Sequence, residues 1–249
     1  MKKLMFGFAM AAAMVAVADI ESSNVVGYLN ANVRKNLSVQ LATFDCVGAE
    51  GMDIQNIKPV AAEGEEIESG DYTIQIFNSV GRVTTSYAYV LGEDIDDGYA
   101  DGWYEEDWET VVEKTFAPGE AFKVVAAKEG GSFQYAGEVN GEETLVPVRR
   151  NLSAQGNLRP TAVNIQSIIP VAAEGEDLES GDYSIQIIGD TGRVLTSYAY
   201  VLGEDIDDGY ADGWYEEDWE TIVEKTFAAG EGFQVVAAKD GGFLKFLSL

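Results

Sequence analysis

The chain repeats itself. Thr85 to Ala117 returns as Thr196 to Ala228, and the one change is Val111 to Ile222. A duplication this long constrains the architecture first, because whatever one copy folds into, the other must also fold into. Around the block the match continues more loosely. Val33-Arg34-Lys35-Asn36-Leu37-Ser38 answers Val148-Arg149-Arg150-Asn151-Leu152-Ser153, and after a shorter spacing in the second copy Ile54 answers Ile165. The run from Pro59 to Ile76 answers Pro170 to Ile187, and Gly119-Glu120-Ala121-Phe122 answers Gly230-Glu231-Gly232-Phe233. The repeating unit is about 110 residues long.

Within each unit the period is two. Tyr72, Ile74 and Ile76 alternate with Thr73, Gln75 and Phe77; Tyr87, Tyr89 and Leu91 alternate with Ser86, Ala88 and Val90; Phe122, Val124 and Ala126 continue the pattern. Val25 to Val33, Leu37 to Phe44 and Ser132 to Val139 read as further strands. Ser69-Gly70-Asp71, Val80-Gly81, Pro118-Gly119 and Gly130-Gly131 supply the turns. Many short strands between glycine turns predict an all-β protein of two tandem repeats, each a β-sandwich or small barrel-like domain. The expected divisions are 1–18, 19–140 and 141–249, with the boundary between repeats near Val139 to Pro147. Met52 to Ile57 reads as a single helical turn. Tyr104 to Thr115 has helical spacing in Tyr104, Trp108, Val111 and Thr115, but Glu105, Glu109 and Glu113 would then stack like charges at i, i+4. An irregular loop leading into a strand near Thr110 to Phe116 fits better. The second unit ends at Phe243-Leu244-Lys245-Phe246-Leu247-Ser248-Leu249, where the first continues to Gly137-Glu138-Val139. Either Leu244 to Leu249 supplies a shorter edge strand, which is the expectation, or the unit has an open edge that another molecule's strand could fill.

The N-terminus has the form of an export signal. Lys2 and Lys3 precede an apolar run from Leu4 to Val15, and Ala16-Val17-Ala18 is an A-x-A cleavage site, so the mature chain is expected to start at Asp19 and to carry no membrane span. The expected location is the periplasm, the cell surface or the medium. Cys46 is the only cysteine, which rules out an intrachain disulfide and reads as a small buried apolar residue. The formal net charge is −27 and there is no histidine. Such a surface repels nucleic acid and anionic lipid, both of which need a basic footprint. Metal cations, glycans, other surface or matrix components and further copies of the chain remain as partners.

The repeated block carries the chemistry. Each copy holds ten carboxylates, and all four tryptophans lie in the two copies. Asp94, Asp96, Asp97, Asp101 and Glu105, with Asp205, Asp207, Asp208, Asp212 and Glu216, are the candidate ligands for a hard cation such as Ca2+, which takes several oxygens from glycine-rich loops. The spacing is not that of an EF-hand, since Gly98 and Tyr99 fall where a ligand and a glycine are needed. The alternative is a glycan platform built from Trp103, Tyr104, Trp108, Trp214, Tyr215 and Trp219, against which stands the expectation that at least one tryptophan per loop anchors it to the sheet. No histidine base, nucleophile elbow or phosphate loop is present, and nothing selects two carboxylates for glycoside hydrolysis. The reading is non-enzymatic.

Val25-Val26-Gly27-Tyr28, Gly102-Trp103-Tyr104, Pro118-Gly119-Glu120-Ala121-Phe122 and Gly137-Glu138-Val139 resemble a group of exported bacterial β-repeat proteins of planctomycete and verrucomicrobial type. The resemblance implies export and β-architecture, and it brings no activity with it. Taken together, the expectation is an exported structural, adhesive or assembly protein with two acidic aromatic loops.

Overall fold

A computed structural model describes residues 25–33, 38–44, 51–78, 82–95, 98–128, 131–206 and 210–248. The signal-like segment, Cys46, Asp96, Asp97, Asp207 and Asp208 lie outside the described residues. The protein is all-β, and among the described residues there is no α-helix and so no helix long and apolar enough to cross a membrane.

The first half contributes β1 (Val25–Asn32), β2 (Ser38–Ala42), β3 (Met52–Asp53), β4 (Lys58–Val60), β5 (Tyr72–Phe77), β6 (Val83–Val90), β7 (Gly102–Tyr104), β8 (Thr115–Phe116), β9 (Ala121–Ala126) and β10 (Ser132–Val139). They form three antiparallel sheets: β2-β9-β5-β6-β7, β1-β10-β4 and the short pair β3-β8. The second half repeats them with β11 (Thr144–Pro147), β12 (Asn151–Gly156), β13 (Val163–Asn164), β14 (Ile168–Val171), β15 (Tyr183–Ile188), β16 (Val194–Val201), β17 (Gly213–Tyr215), β18 (Thr226–Phe227), β19 (Gly232–Ala237) and β20 (Phe243–Phe246). Its sheets are β12-β19-β15-β16-β17, β11-β20-β14 and β13-β18. Three sheets per half, of five, three and two strands, is not the simple two-sheet layering of a sandwich.

The period-two patterns place the core. Tyr72, Ile74, Phe122, Val124 and Ala126 are all buried, and Ile76 packs on the same cluster. That cluster also takes Leu29 from β1, Phe133 and Tyr135 from β10, and Phe116 from β8, so all three sheets enclose one apolar core. The second half has its own cluster, built around Ile185, Trp214, Phe227, Phe233 and Phe246.

Several expectations need revising. The strand after the acidic loop is only Thr115–Phe116, preceded by an isolated bridge between Tyr104 and Val111, while Gly102–Tyr104 within the block is itself a strand. The helical turn near Met52 is a 3-10 turn at Ile54–Asn56, and its copy is Ile165–Ser167. Further turns of that kind occur at Gly92–Asp94 and Gly203–Asp205. The last strand of the second half is not an edge: β20 pairs with β11 on one side and β14 on the other, so no open position is left there.

The Asn-Leu-Ser match also misplaces β12 by one residue. Ser38 pairs with Val125, but Ser153 pairs with Val235, the copy of Val124. Thr43 and Asn157 then do the same work, Thr43 Oγ1 donating to the Ala117 carbonyl and Asn157 Nδ2 to that of Ala228. The slip is taken up at Asn151, which adopts φ +74, a left-handed conformation that asparagine tolerates better than most residues.

The two halves meet where the end of β2 reaches the residues leading into β19, an inner strand of its own sheet. Leu41 bridges Glu231, the Ala42 amide donates to the Gly230 carbonyl at 2.9 Å, and Gln40 Nε2 donates to the Phe233 carbonyl at 2.7 Å. Gly232 replaces the first half's Ala121 for a steric reason: a β-carbon there would strike Gln40 at 2.6 Å.

Candidate functional site

The two tryptophans of each block have opposite fates. Trp103 sits on β7, and its side chain is fully buried: the indole N–H donates to the Ile57 carbonyl at 2.7 Å, and the ring stacks on Phe133 and meets Tyr89 edge-on. Trp214 repeats this with Ile168 and Tyr200. Gln55, projecting from its 3-10 turn, holds the strand by accepting from the Trp103 amide and donating to the Trp103 and Val112 carbonyls. Tyr104 and Tyr215 are also buried, each donating its hydroxyl four residues back, to Ala100 and Ala211. Burial pushes the Tyr104 hydroxyl up from its ordinary value, with the nearby Tyr99 adding to it. Trp103, Tyr104, Trp214 and Tyr215 are therefore corrected from exposed platform to core.

Trp108 and Trp219 face solvent, 40% and 41% exposed. Each lies in a tight loop after the strand, where the Glu105 amide donates to the Thr110 carbonyl and the Trp108 amide donates back to the Glu105 carbonyl. Both take a left-handed backbone, φ +61 and +60, which is costly for a bulky residue and is found where the surroundings over-determine it. Asp107 is the agent. Its carboxylate accepts from the Glu109 and Thr110 amides and from the Thr110 hydroxyl, and Asp218 does the same with Glu220 and Thr221. The indole edge comes over Gly70, within 3.3 Å of where a β-carbon would stand; Gly181 seats Trp219 at 3.4 Å. Tyr99 and Tyr210, each 44% exposed, are the other outward aromatics of the block.

The carboxylates fan outward. Asp94 accepts from the Ser69 hydroxyl, Asp101 accepts from the Gly92 amide at 2.9 Å, and Asp205 and Asp212 repeat these bonds with Ser180 and Gly203. Glu105 and Glu216 are exposed. Among the described residues no three carboxylates gather as a metal-holding group, so Asp94, Asp101, Glu105, Asp205, Asp212 and Glu216 are not brought together as one ligand set.

The hydrogen bonds from Thr110 and Glu109 hold the Asp107 carboxyl below its usual range, and those from Thr221 and Glu220 do so for Asp218. A depressed folded-state pKa stabilises the loop above the unfolded carboxylate value of about 3.9, and that contribution is lost as pH falls through the lower folded value. The loops should stay closed at neutral pH and open only in acid. Titration of Asp107 followed by NMR should give a midpoint below that of a free aspartate; a midpoint at or above it would contradict the geometry.

The sequence signals for this arrangement were the Asp-x-x-Thr of Asp107 to Thr110, and Gly70 in its Ser-Gly-Asp turn. Comparison with known proteins adds nothing to them: no protein-family model, curated protein or solved structure matches the chain. The fold and the site define a tandem-repeat all-β protein that displays the same tryptophan loop twice.

Proposed function

We propose that this is a non-enzymatic, exported adhesive or structural protein: two small barrel-like domains, 19–140 and 141–249, attach it to a cell-surface or matrix component through two copies of one loop. The observation that carries the reading is the pair of half-exposed indoles, Trp108 and Trp219, each locked in a left-handed backbone by an aspartate. Backbone strain repeated at one position in both copies, on a large apolar side chain facing water, is characteristic of a contact residue rather than a packing residue. Two weak contacts on one chain give firm attachment by avidity.

A second reading, recognition of a glycan, is favoured by the same exposed rings, because an indole face stacks on the apolar face of a sugar while neighbouring carboxylates accept from its hydroxyls. Trp108, Trp219, Tyr99 and Tyr210 carry it, in place of the buried pair in each loop. Calcium belongs to the proposal as a modulator of the acidic loops, with Asp96, Asp97, Asp207 and Asp208 as the carboxylates that would supplement Asp94 and Asp205.

Co-sedimentation with insoluble polysaccharide and cell-envelope material tests these readings. The Trp108→Gly/Trp219→Gly double variant should no longer sediment, and each single variant should sediment less. Glycine relieves the left-handed strain while losing the indole's contact with Gly70, so folding stability should change by no more than about 1 kcal/mol. A double variant that sediments like the parent would end the assignment of contact to the indoles. Loss of sedimentation in chelator would show that the loops act through a cation.

A further inference from the structure

We propose that a groove between the two halves takes the acidic tryptophan loop of a second copy of the chain, so that molecules join head to tail. The inference deepens the proposed attachment by naming one partner of the loops, and it rests on the exposed indoles of that reading.

The groove opens where the two long hairpins end. Phe77, Val83 and Lys123 line it from the first half, Ile188 and Gly189 from the second. Its cavity is about 130 Å³, below the range of small-molecule sites and of a size for one side chain. Apolar surface continues onto the rim. Val194 pairs with Ile188, and Leu195 lies over Gly189, 2.9 Å from where a β-carbon there would stand. Leu195 is 70% exposed, more than any other large apolar residue described, and the first half has Thr84 at the matching place. With the exposed Val83 and Val194 it makes a continuous apolar patch, which marks a contact surface.

Charge selects the occupant. No carboxylate lines the groove among the described residues, while Lys123 is in its wall. Arg82 and Arg193 stand at the mouths of the hairpins, where their carbonyls accept from the Asn78 and Gly189 amides. None of the three cations has a carboxylate within ion-pair distance among the described residues, and Asp190 is the acid of the adjoining turn. In a chain of net charge −27 this is a local excess of positive charge. The loop offers the converse: exposed Trp108 stands among exposed Glu105, Glu106 and Glu109, and Trp219 has the same setting. An indole ringed by carboxylates suits an apolar slot ringed by cations on both counts, and repulsion between the chains elsewhere is screened over about 8 Å at physiological salt.

Position makes the contact intermolecular. Trp108 sits over Gly70, just before β5 begins, whereas Phe77 ends β5 and Val83 starts β6. The length of β5, about 20 Å at 3.3 Å per residue, keeps loop and groove apart, and Gly181 and Ile188 repeat the arrangement. A groove at one end and loops at the other make a heterologous contact, which propagates into open chains.

Sedimentation velocity of the full chain, over a concentration series at about 50 mM and about 500 mM salt, tests this. Species growing beyond the dimer are expected, with association at least about tenfold weaker at the higher salt. Lys123→Glu, Leu195→Ser and the Trp108→Gly/Trp219→Gly double variant should each weaken it at least about tenfold. Mixing Lys123→Glu with the tryptophan double variant should restore association, because one keeps its loops and the other its groove. Neither Lys123 nor Leu195 is buried, so both variants should fold. A chain monomeric up to about 1 mM, a closed dimer, association that tightens with salt, or indifference to Lys123→Glu and Leu195→Ser would each overturn the inference. A chain that stays monomeric yet sediments with envelope material through its indoles sinks this inference alone and leaves the attachment standing.

Discussion

Trp103→Ala and Trp214→Ala will each destabilise their half of the protein by about 3 to 5 kcal/mol, the range for emptying a large aromatic site in a packed core. The figure rests on a fully buried indole in each case. Removal also deprives the Ile57 or Ile168 carbonyl of the indole N–H that donates to it in the interior. Trp103→Phe separates the two effects, keeping ring contact with Phe133 and Tyr89 while deleting the N–H. It should cost less than alanine and still more than about 1 kcal/mol. Urea unfolding followed by circular dichroism measures all three. A shift of under about 1 kcal/mol for Trp103→Ala would mean the core is not built as described, since surface substitutions fall in that range. The contrast with Trp108→Gly is the sharper form of the test. The two residues are five apart, of one type, in one acidic block, and only the one on β7 should matter to folding.

Arg159→Met is the second large effect. Arg159 is 1% exposed, and its guanidinium works as a clasp: Nη1 donates to the Asn140 carbonyl at 2.7 Å, and Nη2 donates to the carbonyls of Glu142, Phe246 and Leu247. Asn140 and Glu142 belong to the connection between β10 and β11, and Phe246 ends β20, so one side chain ties the link between the halves to the last strand. Methionine keeps most of the volume but leaves several carbonyls short of a donor, each worth about 1 to 3 kcal/mol when buried and not simply additive. A loss of about 3 to 5 kcal/mol from the second half is expected. Arg159→Lys should recover only part of it, because an ammonium is a point charge and cannot span the same fork of acceptors. If Arg159→Lys unfolds with the parent's midpoint, the clasp depends on charge alone and the geometric account is wrong.

The strands most legible in the sequence were those long enough to show their period. Ser132–Val139 and Tyr72–Phe77 have the expected bounds, and the inward faces of β5 and β9 follow from alternation alone. Gly102–Tyr104 was hidden because three residues do not establish a period and both of its aromatics are covered, Trp103 and Tyr104 alike. Ten surrounding carboxylates made the whole block look exposed, whereas Gly102–Tyr104 in its middle is buried throughout. The slip at Asn151 was illegible for the opposite reason: Asn-Leu-Ser occurs in both copies, so residue identity favoured a register that the hydrogen bonds reject. Nor could sequence say which tryptophan is buried. That follows from Gln55 and Ile57, far away in the chain, which hold Trp103 in place.

The seam between the halves sets a length scale. Because β2 and the residues leading into β19 are joined by the Leu41–Glu231 bridge and the Ala42–Gly230 hydrogen bond, the paired loops ride on one frame and do not swing on a tether. Under the proposed function, a frame of that kind would work as a caliper, gripping targets whose repeat matches the distance between its jaws and ignoring the same chemistry offered at another spacing.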